Sequence, residues 1–411
     1  YHQGVKCYDR QGKLLHSYHT GNSLLQTNVV LSLAENNGQI WIGTDGSGIY
    51  ILNPENDEIS TIAHAPGNPY SLPVNSILCL YSDSNNNMWA GSVRGGLINI
   101  REVGMKIYSD ALPSTEYGLS EKAVLSIYQG EEKDIWIGTD GGGINRFYPD
   151  NNRFYHTKST WGDKISSITE VDKRHLLVSL FSKGLFFFDK HTEEYRPLII
   201  VNDSINALLC QRGKAVNVFR NTPETVLLLS EMPYSYHIEK KEFTPISLDK
   251  PTPVVVGAIL PICQNGPISY LHDIKCIYQI DSRINRLETL YHCTGDTIFN
   301  SVSIDENGIF WIGSNYGLSR YSAEKHEHVN IPNNLINEIN SLICDKRGRV
   351  WIGTDGKLFA HLIREGEFIL YGESDGVIQN EYLEKPRLLS AEGDIYMGGV
   401  NGLLCIDKQL P

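Results

Sequence analysis

The chain has 411 residues, with 36 Lys plus Arg against 48 Asp plus Glu, a formal net charge of −12. An acidic chain without a basic run argues against nucleic acid or an anionic membrane as a partner of this region, because both bind through clustered Lys and Arg. Length alone predicts two domains, and no apolar run reaches the ~18 residues of a membrane span.

In chain order, the first readable element is GVKCYD at 4–9, which matches the third strand of a repeating unit that is still to come. A full phrase follows: IWIGTDGSGIYIL at 40–52, MWAGSVRGGLINI at 88–100 and IWIGTDGGGINRF at 135–147. It returns as FWIGSNYGLSRY at 310–321, VWIGTDGKLFAHL at 350–362 and IYMGGVNGLLCI at 395–406. Its anchoring aromatics are Trp41, Trp89, Trp136, Trp311, Trp351 and Tyr396, spaced by about 48, 47, 175, 40 and 45 residues, a propeller-blade period outside the one long gap.

The gap predicts hidden copies. HLLVSLFSKGLFFF at 175–188 fits the phrase with Leu177 in the Trp slot, and from there to Trp311 is about 134 residues, three periods of ~45. Two degenerate copies are therefore expected, at 205–238 and 254–281, which makes nine copies in all.

Each copy reads as an apolar strand, an Asp/Asn/Gly turn and the Trp strand, as in SVSIDENG before Phe310. The Trp strand ends at Asp-Gly or a relative, where Gly accepts the positive φ of a tight hairpin. A third strand and a weaker fourth follow. Four antiparallel strands per ~45 residues predict an all-β chain built as a β-propeller of four-stranded blades. Consecutive apolar residues such as Ile40, Trp41 and Ile42 suit a sheet covered on both faces, so the six anchoring aromatics are expected in the core. The Gly after Trp-Ile suggests close backbone approach by a neighbour.

Nine blades exceed the 4–8 of an ordinary ring. MKIYSD at 105–110 lies between two full copies and could serve as the outer strand of the last blade, which has no fourth strand of its own. The expectation is a seven-bladed ring over 104–411, closed by that strand, with 1–103 holding the last two to three blades of a preceding propeller. On this reading the chain begins inside a blade and is part of a larger protein. A single open or unusually large ring is the alternative.

The eight cysteines, Cys7, Cys79, Cys210, Cys263, Cys276, Cys293, Cys344 and Cys405, form no CxxC and mostly fall in strands, so buried free thiols are expected, with a disulfide or two left open. No metal-ligand spacing and no cofactor motif is present. There is no G-x-S-x-G and no repeated carboxylate pair. SIDENGIFW at 303–311 resembles a sialidase Asp box in its turn alone, being one residue too long and lacking the Thr. A glycosidase pair could still assemble from distant blades, which keeps a lyase or hydrolase as an alternative.

A binding site is sought where the phrase departs from its own rule. Asp-Gly-Gly is the default turn after the Trp strand. The departures are Val93–Arg94, Phe181–Lys183, Asn315–Tyr316 and Val400–Asn401, with Arg220 in a degenerate copy and Trp161 as the one Trp outside the repeated slot. All are expected to ring one mouth. An aromatic plane with Lys, Arg and Asn around it is the chemistry that holds sugars, so Trp161, Phe181, Lys183, Arg220, Asn315, Tyr316, Asn401 and Arg94 are the ligand-binding candidates. Arg94 belongs to the first ring. The competing reading is that all are ordinary exposed loop residues.

The phrase, with its D-x-x-G turn, W-I-G-T and x-G-G, resembles the two-component regulator propeller repeat, and 375–407 resembles the closing blade that precedes a Y_Y_Y sandwich in that family. The resemblance implies the periplasmic sensor region of a Bacteroidetes hybrid two-component system. In such receptors two seven-bladed propellers sense polysaccharide breakdown products, and a kinase and a DNA-binding region respond in the cytoplasm. It further implies an oligosaccharide ligand, a homodimer in the full receptor, attachment to the inner membrane through segments outside this sequence, and no cofactor or catalytic residue here. A protein-interaction scaffold resembling WD40 is the remaining class; its Gly-His and Trp-Asp signatures are absent.

Overall fold

The computed structural model describes residues 3–68, 70–101, 104–110, 116–199, 205, 209, 216–230, 232–248 and 259–410. Cys210, the boundary residue Val103, most of 205–215 in one expected degenerate copy and 254–258 of the other lie outside the described residues.

The phrase does fold as read. In sheet after sheet the Trp strand is a second strand paired antiparallel on both sides, as Ile135–Thr139 is with Val124–Gln129 and with Ile144–Tyr148. The architecture is an all-β propeller. The chain divides into two compact units, 1–103 and 104–411. The first unit contains a hairpin of Val5–Tyr8 and Leu14–Tyr18, a four-stranded sheet over 30–62 and a three-stranded sheet over 77–100.

The second unit contains seven sheets among the described residues. Numbered in chain order they are sheet 1 (124–156), sheet 2 (165–197), sheet 3 (217–245), sheet 4 (260–292), sheet 5 (299–331), sheet 6 (341–371) and sheet 7 (382–406). The first strands lie side by side in that order, and the first strand of sheet 7 lies against that of sheet 1. Sheet 7 takes its outer strand from the start of the unit: Met105–Tyr108 pairs with 403–406 in antiparallel register. Asp110 lies outside that strand, in an isolated bridge to Leu119, so the strand is shorter than the 105–110 expected. Sheet 4 has a fifth strand, since Ser247–Leu248 pairs parallel with Arg286–Leu287 on its outer edge.

Three contacts recur between and within sheets. The first is apolar: Trp136 of sheet 1 packs with Ile168, Leu176 and Val178 of sheet 2, and Tyr396 of sheet 7 packs with Phe147 of sheet 1. The second is the Gly slot. A Cβ at Gly138 would lie 2.6 Å from the Ile165 carbonyl oxygen, and one at Gly353 would lie 2.5 Å from Tyr382 Cβ, so the next sheet's first strand fits only against Gly. The third is a hydroxyl seam between first strands. Ser126 Oγ donates to the Ile165 carbonyl at 2.9 Å, and Ser303 Oγ accepts the Cys344 N–H at 3.0 Å.

Trp41, Trp136, Trp311, Trp351 and Tyr396 are buried as expected. Trp89 is a correction: it is only half-buried, because it belongs to the three-stranded sheet, where less structure covers it. The thiols also differ from expectation. Cys7 and Cys79 are exposed, Cys276, Cys293 and Cys344 are buried, and all described cysteines are free. No helix among the described residues is long and apolar enough to cross a membrane.

Candidate ligand-binding site

In a sheet whose strands run up and down in chain order, the turn from strand two to three and the exit from strand four share one end. The turns one–two and three–four share the other. We call these ends the near and far faces of the second unit.

On the near face, the connection from sheet 1 to sheet 2 is built around Thr160. Its hydroxyl donates to the Thr157 carbonyl and accepts the Ile144 N–H, each at 2.8 Å. Gly143 lets it in, with φ +74°, where a Cβ would lie 2.1 Å from Thr160 Oγ. Trp161 follows as the cap of the short 3-10 turn Lys158–Thr160, its side chain 54% exposed. The next residues are held by backbone: Gly162 N–H donates to the Gly141 carbonyl at 2.8 Å, and Phe181 N–H to the Lys164 carbonyl at 3.0 Å. The Lys183 ammonium pairs with the Asp163 carboxylate, and Lys164 with Asp140 at 2.7 Å. Trp161, Phe181 and Lys183 are thus brought onto one stretch of the near face, with Phe181 42% exposed.

The other candidates are dispersed. Asn315 is engaged in its own sheet, its Oδ1 accepting the Ile298 N–H at 2.8 Å and its amide donating to the Asp296 carbonyl at 3.1 Å. Tyr316 beside it is 69% exposed, but it belongs to sheet 5, three sheets round from Phe181. Asn401 of sheet 7 donates its backbone N–H to Asn380 Oδ1 at 2.9 Å. Arg94 is exposed in the first unit, at a left-handed φ of 67°. Arg220 corrects the expectation of one common mouth. It ends the first strand of sheet 3, so it lies at the far face, where it pairs with Glu131 at 3.6 Å.

A second concavity lies on the axis. A cavity of 710 Å³ is lined by the first strands of all seven sheets, with Arg220 among its wall residues. Its walls carry apolar, hydroxyl and amide side chains, with charge from the Arg220–Glu131 pair and from sheet 7, which inserts Glu384, Lys385 and Arg387. Pro386 in that strand has no N–H to give the ladder, and the pairing slips between Tyr382 and Arg387. Arg387 crosses to the walls of sheets 5 and 6, donating to the Val302 carbonyl at 2.6 Å, the Leu342 carbonyl at 2.8 Å and the Ser301 hydroxyl. Glu384 Oε1 lies 3.4 Å from Nε2 of His272 in sheet 4, across the ring. Burial pushes the Glu384 carboxyl up to about 8, with Arg387 and Lys385 opposing, and burial holds His272 far below its ordinary range. Both are therefore uncharged at neutral pH.

The residues missed in the sequence are these axial ones. The signal was present: Glu-Lys-Pro-Arg stands at 384–387, where the first strands of sheets 1, 2, 5 and 6 carry short uncharged runs such as Leu125-Ser126-Ile127 and Ser301-Val302-Ser303. Among the described residues no cluster of His, Cys, Asp and Glu is placed to hold a metal.

Three segments, 23–46, 71–94 and 332–356, match the two component regulator propeller family. A histidine kinase P4 of Formosa agariphila is 27% identical over 90 residues, 21% of this chain and 7% of that protein. The extracellular domain of a putative hybrid two component system from B. thetaiotaomicron shares the fold at a TM-score of 0.69 and 18% identity, over 99% of this chain and 54% of that one. That of a putative one component system from the same organism matches at 0.55 and 19%, over 97% and 54%. The chain thus spans about half the length of these solved domains.

Proposed function

The chain carries two-component regulator propeller repeats on a propeller fold, and from that premise we propose that it is part of the extracytoplasmic ligand-sensing region of a two-component signalling receptor. On this reading 104–411 is a complete seven-bladed ring, 1–103 contributes blades to a neighbouring propeller, and both work in the periplasm as part of a homodimeric inner-membrane receptor. The ligand is an oligosaccharide released from a polysaccharide, bound without turnover, and the output is a kinase that controls glycan-utilisation genes.

The observation that carries the ligand reading is the near-face cluster. Trp161 and Phe181 offer two exposed aromatic surfaces on adjoining segments that the Lys183–Asp163 pair ties together. Aromatic faces stack on the C–H faces of sugar rings, and flanking charged groups take the hydroxyls. A ligand held there alters signalling only by favouring one arrangement of the receptor over another. Titration calorimetry of the chain against a panel of neutral and acidic oligosaccharides tests this. Saturable binding with the sugar recovered intact on chromatography is expected. Steady release of shortened product overturns it in favour of a lyase or hydrolase, and a panel without a ligand overturns the sugar reading.

A further inference from the structure

The axial cavity is distinct from the near-face cluster, and its chemistry is not that of a packed core. Of the charged residues on its wall, Arg220 is paired with Glu131 at 3.6 Å, and Arg387 is committed to the protein, with its guanidinium on two carbonyls and a hydroxyl of sheets 5 and 6. Lys385 is not. It is exposed on the cavity wall, and its ammonium has no hydrogen bond or ion pair among the described residues; burial draws its pKa below the ordinary lysine value, with Glu384 opposing. Its sequence neighbour Glu384 would be the natural counter-ion, but burial keeps that carboxyl protonated up to about pH 8.

His272 adds a second, independent observation. It is 1% exposed, and its Nδ1 is used by the Asp273 carbonyl at 3.1 Å. That leaves Nε2 as an acceptor closed to solvent, 3.4 Å from the Glu384 carboxyl on the cavity wall. The cavity's 710 Å³ falls in the roughly 300–1,000 Å³ range of small-molecule sites.

We propose that the axial cavity of the second unit is a binding site for a small hydroxycarboxylate, with Lys385 Nζ as its counter-ion and the Glu384 carboxyl, backed by His272, as a hydrogen-bonding partner for its hydroxyls. Arg387 acts as a positioning residue that holds the wall of sheets 5 and 6 in place. The carboxylate supplies the charge that Lys385 lacks. A neutral sugar of the same size does not, which makes the cavity selective for acidic over neutral ligands.

Sodium glucuronate and glucose at matched ionic strength, titrated into the whole chain by calorimetry, test the proposal. Sodium lactate measured beside them distinguishes a simple hydroxy acid from an acidic sugar as the source of the carboxylate. Binding of glucuronate, lactate or both, with none of glucose, is expected. Lys385→Met should weaken the bound acid at least 10-fold with an unchanged melting temperature, because the side chain is exposed and unpaired. Glu384→Gln, close in shape to the protonated carboxyl, should retain binding within about 3-fold, which separates the charge effect from damage to the wall. Equal binding of glucose and glucuronate, absence of binding by both acids, or affinity unchanged in Lys385→Met overturns the proposal. Failure here leaves the near-face reading standing, since that site is probed by oligosaccharides and by Trp161.

Discussion

Asp345 shows how one side chain holds a turn of the repeat. Its carboxylate accepts the N–H groups of Arg347 and Arg349 at 2.8 and 2.9 Å, the Arg349 guanidinium at 2.7 Å and the Trp351 indole at 3.1 Å. All of this is nearly closed to water, with Asp345 7% exposed. Asp345→Ala removes the carboxylate from a buried guanidinium and an indole, and is expected to lower stability by about 3–5 kcal/mol in denaturant unfolding. Asp83 and Asp305 take their indoles in the same way, at 3.0 Å each. Glu384 makes a different prediction. Its folded-state pKa is above its unfolded one, so the folded chain holds the extra proton and stability declines as pH rises through about 8. His272 works in the opposite sense, but only below about 6.5, where its unfolded form takes up a proton. Between pH 6.5 and 8 wild-type stability should therefore fall by about 1 kcal/mol relative to Glu384→Gln, allowing for water in the cavity. Parallel pH profiles of the two proteins would contradict the assignment. The Asp-turn pattern was legible in the sequence because it is repeated. The axial charges were not, because a single charged strand acquires meaning only once the first strands are known to face one axis.

At the scale of the element, the sheets are held together by a recurring seam of small residues. The Gly of Trp-Ile-Gly marks where the next sheet's first strand makes its closest approach, and a methyl group there meets backbone or a rigid side chain. Gly138→Ala would place its Cβ 2.6 Å from the Ile165 carbonyl oxygen and 2.3 Å from Ser126 Oγ, which donates across the same seam. A loss of about 2–3 kcal/mol is expected from thermal unfolding. Gly12→Ala, at a turn with nothing within 4 Å, should cost only the strain of its positive φ. The requirement for Gly was legible from the phrase. The second strands of sheets 3 and 4 were reached from spacing alone, since Leu227 and Leu271 occupy the Trp region there without an aromatic signature. The fifth strand of sheet 4 and the placement of Arg220 at the far face were not anticipated. The first depends on a two-residue parallel pairing, and the second on strand direction within a copy that departs from the phrase.

At the scale of the molecule, the outer strand of sheet 7 joins the two ends of the second unit. Met105 is fully buried, packed with Trp351, Val377, Met397 and Ile406, and the strand it starts supplies the only partner for the outer edge of 402–406 among the described residues. Met105→Asp places a charge in that cluster and is expected to lower the unfolding temperature of the second unit by several degrees or more, read by hydrogen exchange in sheets 6 and 7. A strand from the start of a unit pairing at its end was legible in the sequence because MKIYSD stands apart from both neighbouring copies. The ligand-bearing face was legible only in part. Trp161, Phe181 and Lys183 lie on adjoining segments, whereas Asn315 is taken up by its own loop and Tyr316, Asn401 and Arg94 lie elsewhere, because turn departures reveal exposure but not which neighbours share a surface. The central claim is that this chain senses an oligosaccharide on the near face of the second unit. The most direct test is to titrate the glycan selected from the panel into wild type, Trp161→Ala and Phe181→Ala by calorimetry. We predict at least a 10-fold loss of affinity in each variant, about 1.4 kcal/mol or more, with melting temperatures unchanged. Wild-type affinity in both variants would contradict the account.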